Sequence, residues 1–198
     1  MTPLGNVRPV ALSAVELRSL DGASTALQQY LGTGLTLVQL VRYYGCLPCQ
    51  QTLVSYHDHR RAFEERGVEV VVVGVAATFQ ARNLRDRHGI TFPLLLDPEQ
   101  RLYRALELRR LRWIDLLRPR TWSRYLPVFV RRYVTRRLDG PAQGRIVGDL
   151  LQLPGLALLD ADGALLWVHR GAVLGDYPPL DEVLRRIDDL RSAHGSPQ

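Results

Sequence analysis

With 198 residues, 46% hydrophobic and 23% charged, the chain has the composition of one soluble globular domain spanning 1–198, long enough to bury a substantial core. It contains no apolar run of about 18 residues, so no transmembrane helix is expected, and its two cysteines are too few for a disulfide scaffold. The net charge of +6 comes from arginine alone, with no lysine. Ten of the 26 arginines lie in 109–137 beside a single acid, Asp115, so the basic character belongs to one segment and not to the whole surface.

The start, MTPLGNVRPVALSAVELRS, lacks a basic stretch followed by an apolar core. No secretory signal is expected, and a cytoplasmic location is the default. AVELRSLDG (14–22) predicts a short strand closed by the turn-forming pair Asp21-Gly22. LTLVQLVRY (35–43) predicts a buried strand. Residues 46–65 have helical spacing, with Cys49, Leu53, Tyr56 and Phe63 on one face and Gly67 as the stop. The valine run VEVVVVGVA (68–76) marks a strand covered on both sides. A helix over 79–89, a strand over 93–97 and a helix over 99–108 complete a β-α-β-α-β-α series, the pattern of a parallel sheet with crossover helices. After the arginine-rich segment, 156–160 and 164–170 form a hairpin around Asp162-Gly163, and 181–193 is a closing amphipathic helix. The fold class is therefore α/β, a mixed central sheet with helices on both faces and a helical arginine-rich insertion at about 109–140. The extreme N-terminus and the tail HGSPQ are expected to be disordered.

Both cysteines stand between a buried strand and the first turn of a helix. Cys46 falls at or just before the helix N-terminus, where unpaired N–H groups and the helix dipole favour negative charge. A thiolate is favoured there, and the thiolate is the nucleophile. Pro48 fits the first turn, where its missing donor has no partner to lose. Cys49 lies on the apolar face and should be the more buried. The spacing assigns attack to Cys46 and resolution to Cys49. Two other readings stay open: half of a zinc site, although no histidine pair has the usual spacing, and two inert core cysteines. A further reading from a different class is a module that binds a metal, a membrane or a partner without catalysis.

The run LVQLVRYYGCLPC, followed in order by GVEVVVVGV (67–75), FPLLLDPEQRLYRALEL (92–108), GDLLQLPGLALLDADGALLWVHRG (148–171) and the Gly-Asp at 175–176, resembles the peroxiredoxin-like, AhpC/TSA-type branch of the thioredoxin-fold family over about 14–192. The resemblance implies a thioredoxin-like fold, an antioxidant role and a redox-active cysteine pair. It also implies a peroxide or disulfide substrate and electrons from a thioredoxin- or glutathione-type donor, with no bound cofactor or metal. Ordinary peroxiredoxins carry Pro-x-x-x-Thr-x-x-Cys; here Gln39 and Tyr43 stand at those positions, so the peroxide-positioning threonine is absent. Arg42 is a site candidate because its charge favours a nearby thiolate; it could instead pair with an acid. Pro154 is a site candidate because a cis-proline precedes the corresponding strand in thioredoxin-like reductases and faces the cysteines. A cis bond there would turn the Leu153 backbone towards substrate, whereas an ordinary trans turn is the alternative. His169, in WVHR, is given no catalytic role.

The insertion interleaves arginine with Trp113, Trp122, Tyr125, Phe129 and Tyr133, and Pro119 and Pro127 break any long helix. Three readings stand for it: a solvated helical lid over the sheet, peripheral contact with an anionic membrane or a partner through 109–137, and, least favoured, nucleic acid.

Overall fold

The computed structural model describes residues 12–75, 78–111, 149, 151–173 and 175–194. The expectations for the N-terminus, the tail and most of the insertion lie outside the described residues. Among the described residues, seven strands form one mixed sheet in the order β2-β1-β5-β4-β3-β6-β7. At its centre β3 (Leu35–Val41) pairs in parallel with β4 (Val68–Gly74), from Leu35↔Val68 to Val41↔Gly74. β5 (Leu94–Leu96) continues the parallel set beside β4. β6 (Gly155–Leu159) runs antiparallel on the other side of β3, and β7 (Leu165–Arg170) pairs with β6 as the expected hairpin. β1 (Glu16–Arg18) and β2 (Ser24–Ala26) add an antiparallel edge.

Alternation along β3 and β4 divides the core. Val38, Leu40, Val71 and Val73 pack with Leu27, Leu102 and Tyr103 on one face. On the other, Val41 and Val72 pack with Cys49, Leu53 and Leu84, while Leu37 and Val70 pack with Tyr56, Phe63, Val183 and Ile187. The valine run is thus buried on both faces because helices cover both. α1 (Leu47–Asp58), α2 (Arg60–Glu64), α3 (Thr78–His88) and α5 (Leu180–His194) lie on the cysteine-bearing face. α4 (Arg101–Ala105) and two short 3-10 turns, Leu12–Ala14 and Leu27–Tyr30, cover the opposite one.

Three expectations change in detail. The helix expected over 46–65 breaks at His59, whose backbone (φ −103, ψ 22) leaves the helical region while its Nδ1–H donates to the Ser55 carbonyl at 2.8 Å. The helix expected over 99–108 shrinks to α4, bounded by left-handed backbone at Gln100 and Glu107, both at φ 53. The Asp21-Gly22 turn is followed by a partner strand, β2, that the sequence reading did not include.

The parallel strands all finish at one edge. Val41 ends level with Gly74, and Gly74 level with Leu96. β6 begins there too, with Gly155 opposite Leu40. The flanks of the insertion close on each other just before β6: the Leu111 N–H donates to the Leu151 carbonyl at 2.7 Å, the Leu153 N–H to Arg109 at 3.1 Å, and Arg110 meets Asp149 at 2.6 Å.

Candidate active site

Hydrogen bonds hold the backbone between β3 and α1 at Tyr43, Tyr44 and Cys46. The Cys46 N–H donates to the Tyr43 carbonyl at 3.1 Å, and the Cys46 carbonyl accepts from the Gln50 N–H at 2.9 Å. Gln50 Nε2 donates to the Tyr44 carbonyl at 2.6 Å. The Tyr44 ring is driven inward, its hydroxyl reaching the carbonyls of Leu95 at 2.7 Å and Val72 at 3.0 Å. Gly74 makes this possible: a Cβ there would stand 2.5 Å from the ring. Cys46 is the N-cap residue of α1, with extended backbone (φ −76, ψ 115), and Pro48 occupies the first turn as expected.

The cysteines are both reduced and both buried, Cys46 at 3% exposure and Cys49 at 1%. Cys49 Sγ donates to Cys46 Sγ at 3.1 Å. Arg42, also buried, points Nη1 at Cys46 Sγ at 4.0 Å. These contacts separate the two thiols. The Cys49 hydrogen bond, followed by the Arg42 charge and the Cys49 backbone N–H, lowers Cys46 from an ordinary 9.0 to about 7 against the opposing effect of burial. Burial, then the hydrogen bond to and charge of Cys46, pushes Cys49 well above 9.0. The arrangement therefore provides one ready thiolate and one protonated neighbour within reach of it. The Arg42 guanidinium also lies 5.5 Å from the centre of the Tyr43 ring, so the residue at the threonine position supplies a half-buried aromatic face. Gln39, at the other departing position, is fully buried, and neither of its amide atoms has a hydrogen-bond partner among the described residues.

Pro154 sits where the sequence places it, buried at the start of β6 and at the same sheet edge as Cys46. The cis expectation is corrected: no peptide bond among the described residues is cis. The backbone at this point is also already engaged. The Leu153 carbonyl accepts from Gln152 Nε2 at 3.1 Å, and the Pro154 carbonyl accepts from the Gly171 N–H at 3.0 Å. His169 is half-buried and does not simply face solvent: its Nε2–H donates to the Asp176 carbonyl at 3.0 Å.

The sequence reading missed residues 171–173 and 175–178, which pack against the motif. The Asp176 carboxylate accepts from the Ala172 N–H at 2.8 Å. Gly175, at φ +72, approaches Pro48 so closely that a Cβ would lie 2.5 Å from the proline Cβ. Tyr177 packs against the cluster containing both cysteines and donates its hydroxyl to the Leu40 carbonyl at 3.0 Å. The one signal available in the sequence was the Gly175-Asp176 pair, which the resemblance included without a role. Among the described residues, no group of three or more His, Cys, Asp or Glu side chains converges as a metal site, and no helix is long and apolar enough to cross a membrane.

The chain is similar to bovine (Bos taurus) prostamide/prostaglandin F synthase, at 24% identity over 85% of this chain and 82% of that protein. It is also similar to the thiol-disulfide oxidoreductase ResA of Geobacillus thermodenitrificans, at 26% identity over 45% of this chain and 51% of that one. The solved structure of Xanthomonas campestris peroxiredoxin Q superposes with a TM-score of 0.60 at 15% identity, covering 91% of this chain and 94% of that one, and shows that the fold is thioredoxin-like. The match to the AhpC/TSA antioxidant enzyme family spans residues 55–173, beginning beyond both cysteines, so it bears on the scaffold and leaves the motif to the geometry. The chain belongs to the AhpC/TSA antioxidant enzyme family, in its peroxiredoxin-like branch.

Proposed function

We propose that this protein is a thiol oxidoreductase in which Cys46 attacks a peroxide or disulfide and Cys49 resolves the product. The observation that supports it most is the hydrogen-bonded sulfur pair at 3.1 Å, with the lowered thiol at the start of α1 and the raised one inside it. With a disulfide R–S–S–R, the Cys46 thiolate forms a mixed disulfide and expels one thiolate. Cys49 then gives up its proton, attacks Cys46 Sγ and expels the second. The pair is oxidised by two electrons and the substrate is reduced to two thiols. With a peroxide, Cys46 takes an oxygen to become a sulfenic acid, the alcohol or water leaves, and Cys49 displaces water to give the same disulfide. A thioredoxin- or glutathione-type donor in a reducing cytoplasm would restore both thiols. Peripheral membrane contact through 109–137 belongs to the same proposal; vesicle binding that weakens steeply with salt supports it, and no binding at low salt removes it.

Disulfides are the favoured substrates. With Pro154 trans, that order rests on Tyr43, which lacks the threonine hydroxyl expected to hold a peroxide. Orientation alone can supply several kcal/mol towards a barrier, and about 1.4 kcal/mol is tenfold in rate. Stopped-flow kinetics with hydrogen peroxide and a small disulfide, combined with thiol titration after one equivalent of peroxide, test the assignment. Both thiols should be consumed together, and peroxide should react more slowly than in an ordinary peroxiredoxin. Cys49→Ser should permit one attack and trap a mixed disulfide. Fast peroxide consumption with no disulfide reduction would reverse the substrate order, and unchanged turnover in Cys49→Ser would remove the resolving role.

A further inference from the structure

The pairing that favours Cys46 as the first nucleophile raises a difficulty for the second step. In the resting pair the Cys49 proton is directed at Cys46 Sγ. Once Cys46 is bonded to substrate it carries no charge, and Cys49 must itself become a thiolate while 1% exposed. A buried thiolate needs donors. The titratable groups whose charge or hydrogen bonding couples to Cys49 are Cys46 and Arg42 from the β3–α1 segment, Tyr103 from α4, and Tyr177 from the segment before α5. The Tyr103 hydroxyl is committed to the carbonyls of Val41 and Val73, at 2.5 and 2.9 Å. The Tyr177 hydroxyl donates to the Leu40 carbonyl at 3.0 Å and stands close enough to Cys49 for the two side chains to interact. Its ring is gripped by the cluster holding both cysteines and also by the one holding Leu37 and Tyr56. Its backbone is fixed by the Gly175 turn against Pro48.

Resting on the reading of Cys49 as the resolving thiol, we propose that the Tyr177 hydroxyl turns from the Leu40 carbonyl to Cys49 Sγ during the resolving step and donates a hydrogen bond to the thiolate that attacks Cys46. No bond of Tyr177 is broken or made covalently. The Cys49 proton ends on the departing thiolate, the Cys46–Cys49 bond forms, and the mixed disulfide breaks. Burial, followed by Cys49, raises the Tyr177 hydroxyl well above its ordinary 10.0, so it stays protonated and able to donate throughout the neutral range. The Arg42 backbone N–H, which also favours the Cys49 thiolate, is fixed in place; Tyr177 is the donor that can rotate.

A chromogenic aryl disulfide separates the steps, since one coloured thiolate is released when Cys46 attacks and a second when Cys49 resolves. In Tyr177→Phe the first phase should stay within about twofold of wild type. The second should slow by about tenfold at neutral pH and shift its pH midpoint upward by about one unit. Incorporating 3-fluorotyrosine at 177, a stronger donor of nearly the same shape, should accelerate the second phase, and this measurement decides the matter if Tyr177→Phe does not fold. An unchanged second phase, or equal slowing of both phases with no shift in midpoint, would assign Tyr177 to packing alone and overturn the proposal. A wild-type protein that releases a single equivalent would instead remove the resolving role of Cys49 and the Tyr177 assignment with it, an outcome seen before any variant is made.

Discussion

α1 and α4 start at the same edge of the sheet, and they meet the field of a helix start in different ways. At α4 the buried Asp97 carboxylate accepts the N–H groups of Arg101 at 2.9 Å and Leu102 at 2.8 Å. At α1 the N-cap residue is a cysteine that makes no full capping bond, and Pro48 supplies no donor. The Cys49 N–H nonetheless faces the Cys46 sulfur closely enough to favour its thiolate. One helix start is satisfied by a fixed carboxylate; the other keeps its donors for a charge that forms on sulfur. The same backbone requirement thus serves stability at α4 and reactivity at α1.

The largest effect should come from removing that charge. Cys46→Ser should lower disulfide turnover by at least about a thousandfold, because a hydroxyl does not ionise in the range where a thiolate does; retained turnover in an assay of purified protein would show that the α1 start is not the reactive one. Next is Cys49→Ala, which removes the strongest influence on Cys46. Alkylation of Cys46 should follow its thiolate, rising in wild type as pH passes upward through about 7. In Cys49→Ala the rise should move towards the ordinary thiol range, which lowers the rate at neutral pH. Arg42→Met should shift the rise in the same direction by less, since the Arg42 charge contributes after the Cys49 bond; iodoacetamide labelling across pH ranks the two. Asp97→Ala should have the smallest effect on reactivity. It leaves two first-turn N–H groups without their acceptor and should destabilise the protein by about 1–3 kcal/mol in urea unfolding, with the Cys46 labelling profile unchanged. A shifted profile would mean that the two helix starts are coupled.

The sequence revealed most where the signal is local. The valine run predicted β4, the apolar run predicted β3, and the apolar spacing of Cys49, Leu53 and Tyr56 predicted the buried face of α1. β2 was hidden because a three-residue strand with one buried residue, Thr25, has too little period to detect. The ends of α4 were hidden because Gln100 and Glu107 adopt left-handed backbone without being glycine. At the site, Cys46, Cys49 and Arg42 were legible as neighbours in one short stretch. Tyr177 was not, because its contacts join residues far apart in the chain, and an aromatic residue in a loop carries no periodic signal. The cis reading of Pro154 shows the opposite error, an expectation taken from a resemblance and not carried by the residues around it: here Gln152 and Gly171 already occupy the adjoining carbonyls.

The Tyr177–Leu40 hydrogen bond spans 137 positions of sequence, and this has a consequence for biosynthesis. The cysteine motif leaves the ribosome well before the loop that encloses it, which lies more than a hundred positions further along the chain. β6, which flanks β3, also follows the insertion. Contacts of such long range delay folding because the intervening chain must be ordered first. Throughout translation both thiols are therefore made but unsheltered, and the difference between them that rests on burial and on Arg42 packing is established only when the C-terminal segment docks. A nascent or truncated chain would offer oxidants two ordinary cysteines in place of one reactive thiol and its protected partner.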